Sequence, residues 1–351
     1  MRQAALVQKA LSQADAGIET ALVILRTRGD RIQDRPLSEI GDKGVFASEL
    51  EQALLAGQID LAVHSAKDLP MILAEGLTIA AVLPRADVRD VLVTPKGGRT
   101  PRFRRGCGGS CEMMSTDAAA EQWRKARETG GTIFRVGTGS RRRQLLAGNI
   151  WENVRCEEIR GNVDTRLRKL QEGGYDGIIL AKAGLDRLGR RSDWESAFDF
   201  YPLSPQLFLP AACQGIIAVE AVEGTEAVKI CGKITDEETA LCFAVEREAL
   251  ARLSADCSEA AAAWCRLAQD ARDSETTDVL AVQDSEMTGM SAAQNAENAS
   301  PENSLLLDVM YADRRVGLTG SVSLTEGRRL AREAAQTVKE AEEKGGMRCG
   351  Q

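Results

Sequence analysis

Residues 59–70, IDLAVHSAKDLP, run from an apolar stretch into His64, Ser65, Lys67 and Asp68 and end at Pro70. The segment IDLAVH (59–64) reads as a buried strand, and the amphipathic stretch FASELEQALLA (46–56), ended by Gly57, reads as the helix before it. Upstream, TALVILRT (20–27) reads as a further strand. Strand, helix, strand is the alternation of a parallel sheet with crossover helices. Polar groups at the carboxyl end of such a strand stand where open α/β sheets take their ligands. His64, the chain's one histidine, is the last buried position of that strand and reads as a packed, hydrogen-bonded imidazole rather than a catalyst.

The alternation continues. LTIAAVL (77–83) and VLVT (91–94) read as strands, followed by a Gly-, Arg- and Cys-rich piece, residues 95–131, that reads as an insertion. A second β-α-β unit follows: TIFRVGT (132–138), a helix from GSRRRQLLAG, a strand around VRCEEIR (154–160), the helix VDTRLRKLQEG and the strand DGIILA (176–181). LFLPAACQGIIAVE (207–220) leads to a third region that opens on the helical pattern of residues 236–257. A polar, acidic tract at about 269–304 interrupts it and has the composition of a disordered insert. Strands in LLLDVMYA and VGLTGSVSL and a final helix with Thr325 as its N-cap complete the chain.

The bulk numbers describe a soluble globular protein. The 351 residues suffice for two or three domains, with 43% hydrophobic and 28% charged residues and a net charge of −7. That charge gives no reason to expect nucleic acid. No apolar run reaches the roughly 18 residues of a membrane span, and the N-terminus lacks a secretory h-region, so a cytoplasmic chain with no membrane partner is expected. Nine scattered cysteines and a single histidine argue for reduced thiols and no metal site, Cys107 and Cys111 of CGGSC included.

Positive charge gathers at two turns. VGTGSRRRQ (136–144) places Ser140, Arg141, Arg142 and Arg143 at a helix start, where free backbone N–H groups and the helix dipole favour anions. IRGNVDTRLRKL repeats the device with Arg160 at a strand end and Arg166 one turn into the next helix. Either run alone is more often a solvated helix face. Two in one β-α-β unit point to a cleft that binds a polyanionic small molecule through guanidinium forks. Asp68, expected to face the same cleft, either pairs with a base or meets positive charge carried or developed by the substrate.

The segments GDKGVFASELEQALLAGQIDLAVHSAKDLP, VGTGSRRRQ, RGNVDTRLRKLQEGGYDGIILAKAGLDRLG and LPAACQGIIAVE resemble, in this order, the signatures of the hydroxymethylbilane synthases, also called porphobilinogen deaminases. The resemblance runs from Met1 to about residue 257. It implies an α/β fold of three domains: two periplasmic-binding-protein-like lobes, 1–86 (completed by about 200–219) and 87–199, and a small C-terminal α/β domain, 220–351. It implies a monomeric transferase of tetrapyrrole biosynthesis that condenses four porphobilinogen molecules, releases ammonia each time, and hydrolyses off linear hydroxymethylbilane. The primer is a dipyrromethane cofactor in thioether linkage, and the matching position is Cys257, with Cys265 a distant second choice.

By the same resemblance, Asp68 is the catalytic aspartate that stabilises the cation formed as ammonia leaves. Lys43, Ser65, Lys67, Arg85, Ser140, Arg142, Arg143, Arg160 and Arg166 are the cofactor- and substrate-binding positions, and Phe46 lies where the family places an aromatic beside the pyrroles. Departures exist: Gly139 replaces a serine, Arg141 an apolar residue and Cys213 a glycine, and ADCSEAAAAWC replaces a glycine-rich cysteine segment. The family also begins with a strand and a T-R-x-S-x-L-A segment ahead of the position of Met1. Without that strand, unpaired ladder groups and an apolar gap are expected in the first lobe. The alternatives are a non-catalytic two-lobe anion-binding protein and an inactive paralogue.

Overall fold

The computed structural model describes residues 2–25, 45–104, 127–128, 132–189, 194–254, 259–268, 304–312 and 314–346, with side chains from residue 49 in the second of these stretches. In chain order its main elements begin with α1 (Arg2–Ala14), α2 (Val45–Leu55), β1 (Ala62–Ser65), β2 (Leu77–Val82) and β3 (Asp90–Pro95). Then come β4 (Phe134–Gly137), α3 (Arg141–Ile150), β5 (Val154–Glu157), α4 (Val163–Gln171), β6 (Gly177–Ala181), α5 (Lys182–Leu188) and β7 (Phe198–Pro202). The last are β8 (Ile217–Val222), α6 (Glu226–Gly232), α7 (Glu237–Leu253), β9 (Ala261–Leu267), β10 (Ser304–Tyr311), β11 (Arg314–Ser321) and α8 (Leu324–Gly346). The architecture is mixed α/β, as read from the alternation.

The chain folds as two units. The first comprises Met1–Asp87 and Gln214–Ala240, the second Val88–Cys213 and Leu241–Gln351. In the first, β8 returns from far along the chain to lie antiparallel between β1 and β2, pairing Ala62 with Glu220 and Ser65 with Ile217. Its core joins Val7 and Leu11 of α1 to Ala81, Ile217 and Val219 of the sheet. The strand expected at 20–27 is not formed over its described part. Residues 20–25 pair with no described strand, and Leu22, Val23 and Ile24 are 49%, 59% and 65% exposed. Apolar alternation favours a strand, but only a hydrogen-bonded neighbour makes one.

The second unit carries the sheet β7-β3-β6-β4-β5. Its strands β6, β4 and β5 are parallel, joined by the crossover helices α3 and α4, while β3 and β7 run antiparallel to their neighbours. Covered on both faces, the strands read as continuous apolar runs: Val91, Leu92 and Val93, and Ile178, Ile179 and Leu180, are all at most 3% exposed. A separate antiparallel meander, β9-β10-β11, is bound to α8. Ala262, Trp264 and Met310 of this meander share one core with Leu92, Phe134 and Trp151, which is why the C-terminal region and the second lobe cluster as one unit. Asp308 on β10 locks the meander through Arg266 (2.6 Å) and Arg315 (2.8 Å). The cap of α8 is Ser323 rather than Thr325: its Oγ accepts from the Glu326 N–H at 3.1 Å, the Ser-x-x-Glu spacing of a capping box. Most of the 95–131 insertion and the 269–303 tract lie outside the described residues.

Candidate functional site

In the first unit, β1 delivers its polar residues as read, although the strand spans 62–65 rather than 59–64. It passes directly into a single 3-10 turn, Ala66–Asp68, anchored where the Ala66 N–H donates to the Ile216 carbonyl at 3.0 Å. The turn buries Ala66 and leaves Asp68 exposed, in no ion pair with any described residue. Ser65 Oγ accepts from Gln3 Nε2 at 2.7 Å, so α1 steadies the strand end. Lys67 is half-buried. His64 is the packed imidazole expected, with Nε2 3.0 Å from Oε2 of Glu220, a fully buried carboxylate on β8. Arg85 is held by its own unit: Nε donates to the Gln214 carbonyl at 2.9 Å and the backbone N–H to Thr239 Oγ1 at 3.0 Å.

In the second unit the first arginine turn follows β4. Ser140 caps α3 by accepting from the Arg143 N–H at 3.5 Å, and its own N–H donates to Thr138 Oγ1 at 3.2 Å. The three arginines then part company. Arg141 is exposed, whereas Arg142 and Arg143 are 3% and 7% exposed and converge on Asp90 at the start of β3. Arg142 Nη2 lies 2.8 Å from Asp90 Oδ2 and Arg143 Nη2 2.7 Å from Oδ1, while their Nη1 atoms donate to the Leu209 and Ile179 carbonyls at 2.5 and 2.9 Å. Burial pushes the Asp90 carboxyl up, but the two guanidiniums outweigh it and hold it well below the usual carboxylate range. The Nε atoms of both arginines are buried without a hydrogen-bond partner. Two cations against one carboxylate leave a net positive charge beneath the helix start.

The second turn follows β5. Gly161 adopts φ 108°, and a Cβ there would strike Thr165 at 2.6 Å, so glycine is required for the chain to turn from Arg160 into α4. Asn162 caps α4 by accepting from the Thr165 N–H at 2.9 Å. Arg166 Nε donates to the Gly161 carbonyl at 2.7 Å, and Arg160 pairs with Glu158 at 2.6 Å, its side chain 30% exposed. These two residues are half-buried, whereas Arg142 and Arg143 are buried.

Lys43, Cys257 and the side chain of Phe46 lie outside the described residues. Cys265 is buried in β9, its N–H donating to Glu246 Oε1 at 2.8 Å. The other oxygen of Glu246 accepts from Cys213 N at 2.5 Å, and Cys213 has a left-handed φ of 60°, a conformation that glycine adopts without strain. Sequence reading missed Asp90, Glu158 and Glu220. Each was visible as a charge inside or beside an apolar strand, which calls for a partner.

The donors fit a carboxylate-bearing group such as dipyrromethane. Taken unit by unit, the second offers the half-buried guanidiniums of Arg160 and Arg166, which suit acidic side arms, and the first offers the exposed carboxylate of Asp68, which suits pyrrole N–H groups. Among the described residues no helix is long and apolar enough to cross a membrane.

Comparison with known proteins places these features. Residues 1–230 match the family model described as porphobilinogen deaminase, dipyromethane cofactor binding domain. The chain is 38% identical over 269 residues to the porphobilinogen deaminase of Roseiflexus sp. (strain RS-1), covering 76% of this chain and 78% of that one. It is 41% identical over 248 residues to that of Streptococcus sanguinis (strain SK36), covering 70% and 71%, and 39% identical over 258 residues to that of Syntrophobacter fumaroxidans, covering 73% of each. With the match running through both arginine turns and the Asp68 strand end, the chain belongs to the porphobilinogen deaminase family.

Proposed function

We propose that this chain is a hydroxymethylbilane synthase whose catalytic group is Asp68. The observation that carries the assignment is an exposed carboxylate at a strand end, engaged in no ion pair among the described residues, in a family whose partners in catalysis are cationic. Dipyrromethane, when bound, supplies the nucleophilic pyrrole carbon to which the first porphobilinogen is joined.

The chain's own residues do the rest. Arg160 and Arg166 take the acetate and propionate groups of porphobilinogen as charge-assisted pairs. Arg142 and Arg143, tied to Asp90, act from below through their excess positive charge, which a bound anion offsets. Ser140, Ser65, Lys67, Lys43 and Arg85 complete the contacts. As the aminomethyl C–N bond of porphobilinogen breaks and ammonia departs, positive charge spreads to the pyrrole nitrogen. Asp68 stabilises that charge and accepts the N–H, a preorganised electrostatic role. The pyrrole carbon that bound dipyrromethane would supply attacks the methylene vacated by ammonia and would give up its proton to solvent, and Asp68 is the chain's own group that holds the pyrrole N–H groups in place through each of the four additions.

Cys257 is assigned as the attachment point, and the working form as a cytoplasmic monomer. Intact mass spectrometry tests the assignment: the purified chain, incubated with porphobilinogen, gains the mass of two pyrroles, and Cys257→Ser does not. An adduct that persists in Cys257→Ser and vanishes in Cys265→Ser moves the attachment. A chain that never gains the adduct is a non-catalytic relative, and the reading fails. Light scattering at micromolar concentration checks the monomer.

A further inference from the structure

The carboxylate that Arg160 holds in this structure belongs to the protein. Arg160 directs both Nε and Nη2 at one oxygen of Glu158, at 2.7 and 2.6 Å. This is the edge of the guanidinium with which a bidentate fork grips a ligand carboxylate. Glu158 is no accidental neighbour. Its backbone is fixed on both sides: Tyr175 Oη donates to its carbonyl at 2.8 Å, the Thr138 N–H donates to the Glu157 carbonyl at 2.9 Å, and Ile159 is buried. Its stem runs beside the first arginine turn, where a Cβ built on Gly139 would lie 3.9 Å from Glu158 Cγ. The residue therefore spans from one anion turn to the key cation of the other, with its own side chain 56% exposed and able to swing out.

We infer that Glu158 is a resident carboxylate that occupies Arg160 until a substrate carboxylate displaces it, and that it thereby sets substrate affinity at this arginine. The inference rests on Arg160 being a carboxylate receptor for the reaction. A solvent-exposed pair is weak, so the exchange is cheap and reversible, and its removal changes affinity only modestly.

The test is the KM of porphobilinogen consumption in Glu158→Gln, Arg160→Gln and the double variant. Glu158→Gln is expected to lower KM roughly two- to five-fold, the range of an exposed ion pair, with kcat within a factor of two. Arg160→Gln is expected to raise KM, and the double variant to match Arg160→Gln, because the gain acts through that guanidinium. A second readout needs no turnover: the rise in Tm produced by succinate is expected to be larger for Glu158→Gln than for the unaltered chain, since tighter binding of the native state stabilises it more.

If Arg160→Gln raises KM while Glu158→Gln leaves KM and the succinate response unchanged or worsens them, the inference falls and the receptor role of Arg160 stands. If Glu158→Gln lowers KM equally with and without Arg160, only long-range charge is at work, which also overturns it. An unchanged KM in Arg160→Gln removes the receptor role and the inference together.

Discussion

Asp68→Ala is expected to fold normally and to lose at least about a hundredfold in condensation rate. A preorganised group facing charge that develops in the transition state is worth roughly 3 kcal/mol, and each 1.36 kcal/mol is a factor of ten. Folding is spared because Asp68 is exposed and holds no described ion pair, so its removal strands no buried cation. Its neighbours keep the turn: Ala66 stays packed and bonded to the Ile216 carbonyl whatever stands at position 68. Asp68→Asn retains an acceptor without the charge and is expected to fall between the two. Ammonia release in a single turnover, measured beside the Tm, checks both halves. Wild-type turnover in Asp68→Ala would remove the residue from its role.

The opposite profile is expected of the other aspartate. Asp90→Ala leaves two guanidiniums buried without their shared carboxylate, and breaking a buried ion pair from one side costs about 3–5 kcal/mol. Against the 5–15 kcal/mol that holds typical domains together, this is a large share of the second unit's stability. The urea midpoint at pH 7 is therefore expected to drop sharply. The pH dependence has a definite sign. The folded Asp90 carboxyl is held below its unfolded value, so its contribution is complete above roughly pH 4, near the unfolded pKa, and is lost as pH falls toward the folded one. The gap between the unaltered chain and Asp90→Asn accordingly narrows on acidification from about pH 4 downward. A gap independent of pH, or a midpoint within experimental error of the unaltered chain, would mean that Asp90 does not bear the two charges.

The contrast between these aspartates also shows how far the site was legible. Both stand beside apolar strands, and the HSAKD context marked Asp68, whereas the charge of Asp90 at the edge of VLVT signalled only that a partner was needed and not which one. The run Arg141-Arg142-Arg143 is similarly opaque, because a helix turns about 100° per residue and three identical side chains cannot tell which of them faces inward. The answer depends on a carboxylate 52 positions away from Arg142. His64 was read as a packed imidazole, but its partner Glu220 lies 156 positions on and arrives only when β8 crosses back into the first sheet.

What the chain's order of residues determined by itself is what depends on near neighbours. The β4-α3-β5-α4-β6 alternation, the capping of α3 by Ser140 and of α4 by Asn162, and the positive φ at Gly161 all follow from periodicity and from contacts a few residues apart. Family membership too is written in contiguous segments. The tertiary structure alone decided which charges are sequestered and which stay open: Asp90 takes Arg142 and Arg143 out of solvent, Glu158 merely borrows Arg160, and Asp68 is left exposed. It also decided that the apolar segment 20–25 forms no strand among the described residues. Ion pairing and strand pairing are both relations between distant stretches, and their energies exist only once the fold has brought the partners within a few ångströms.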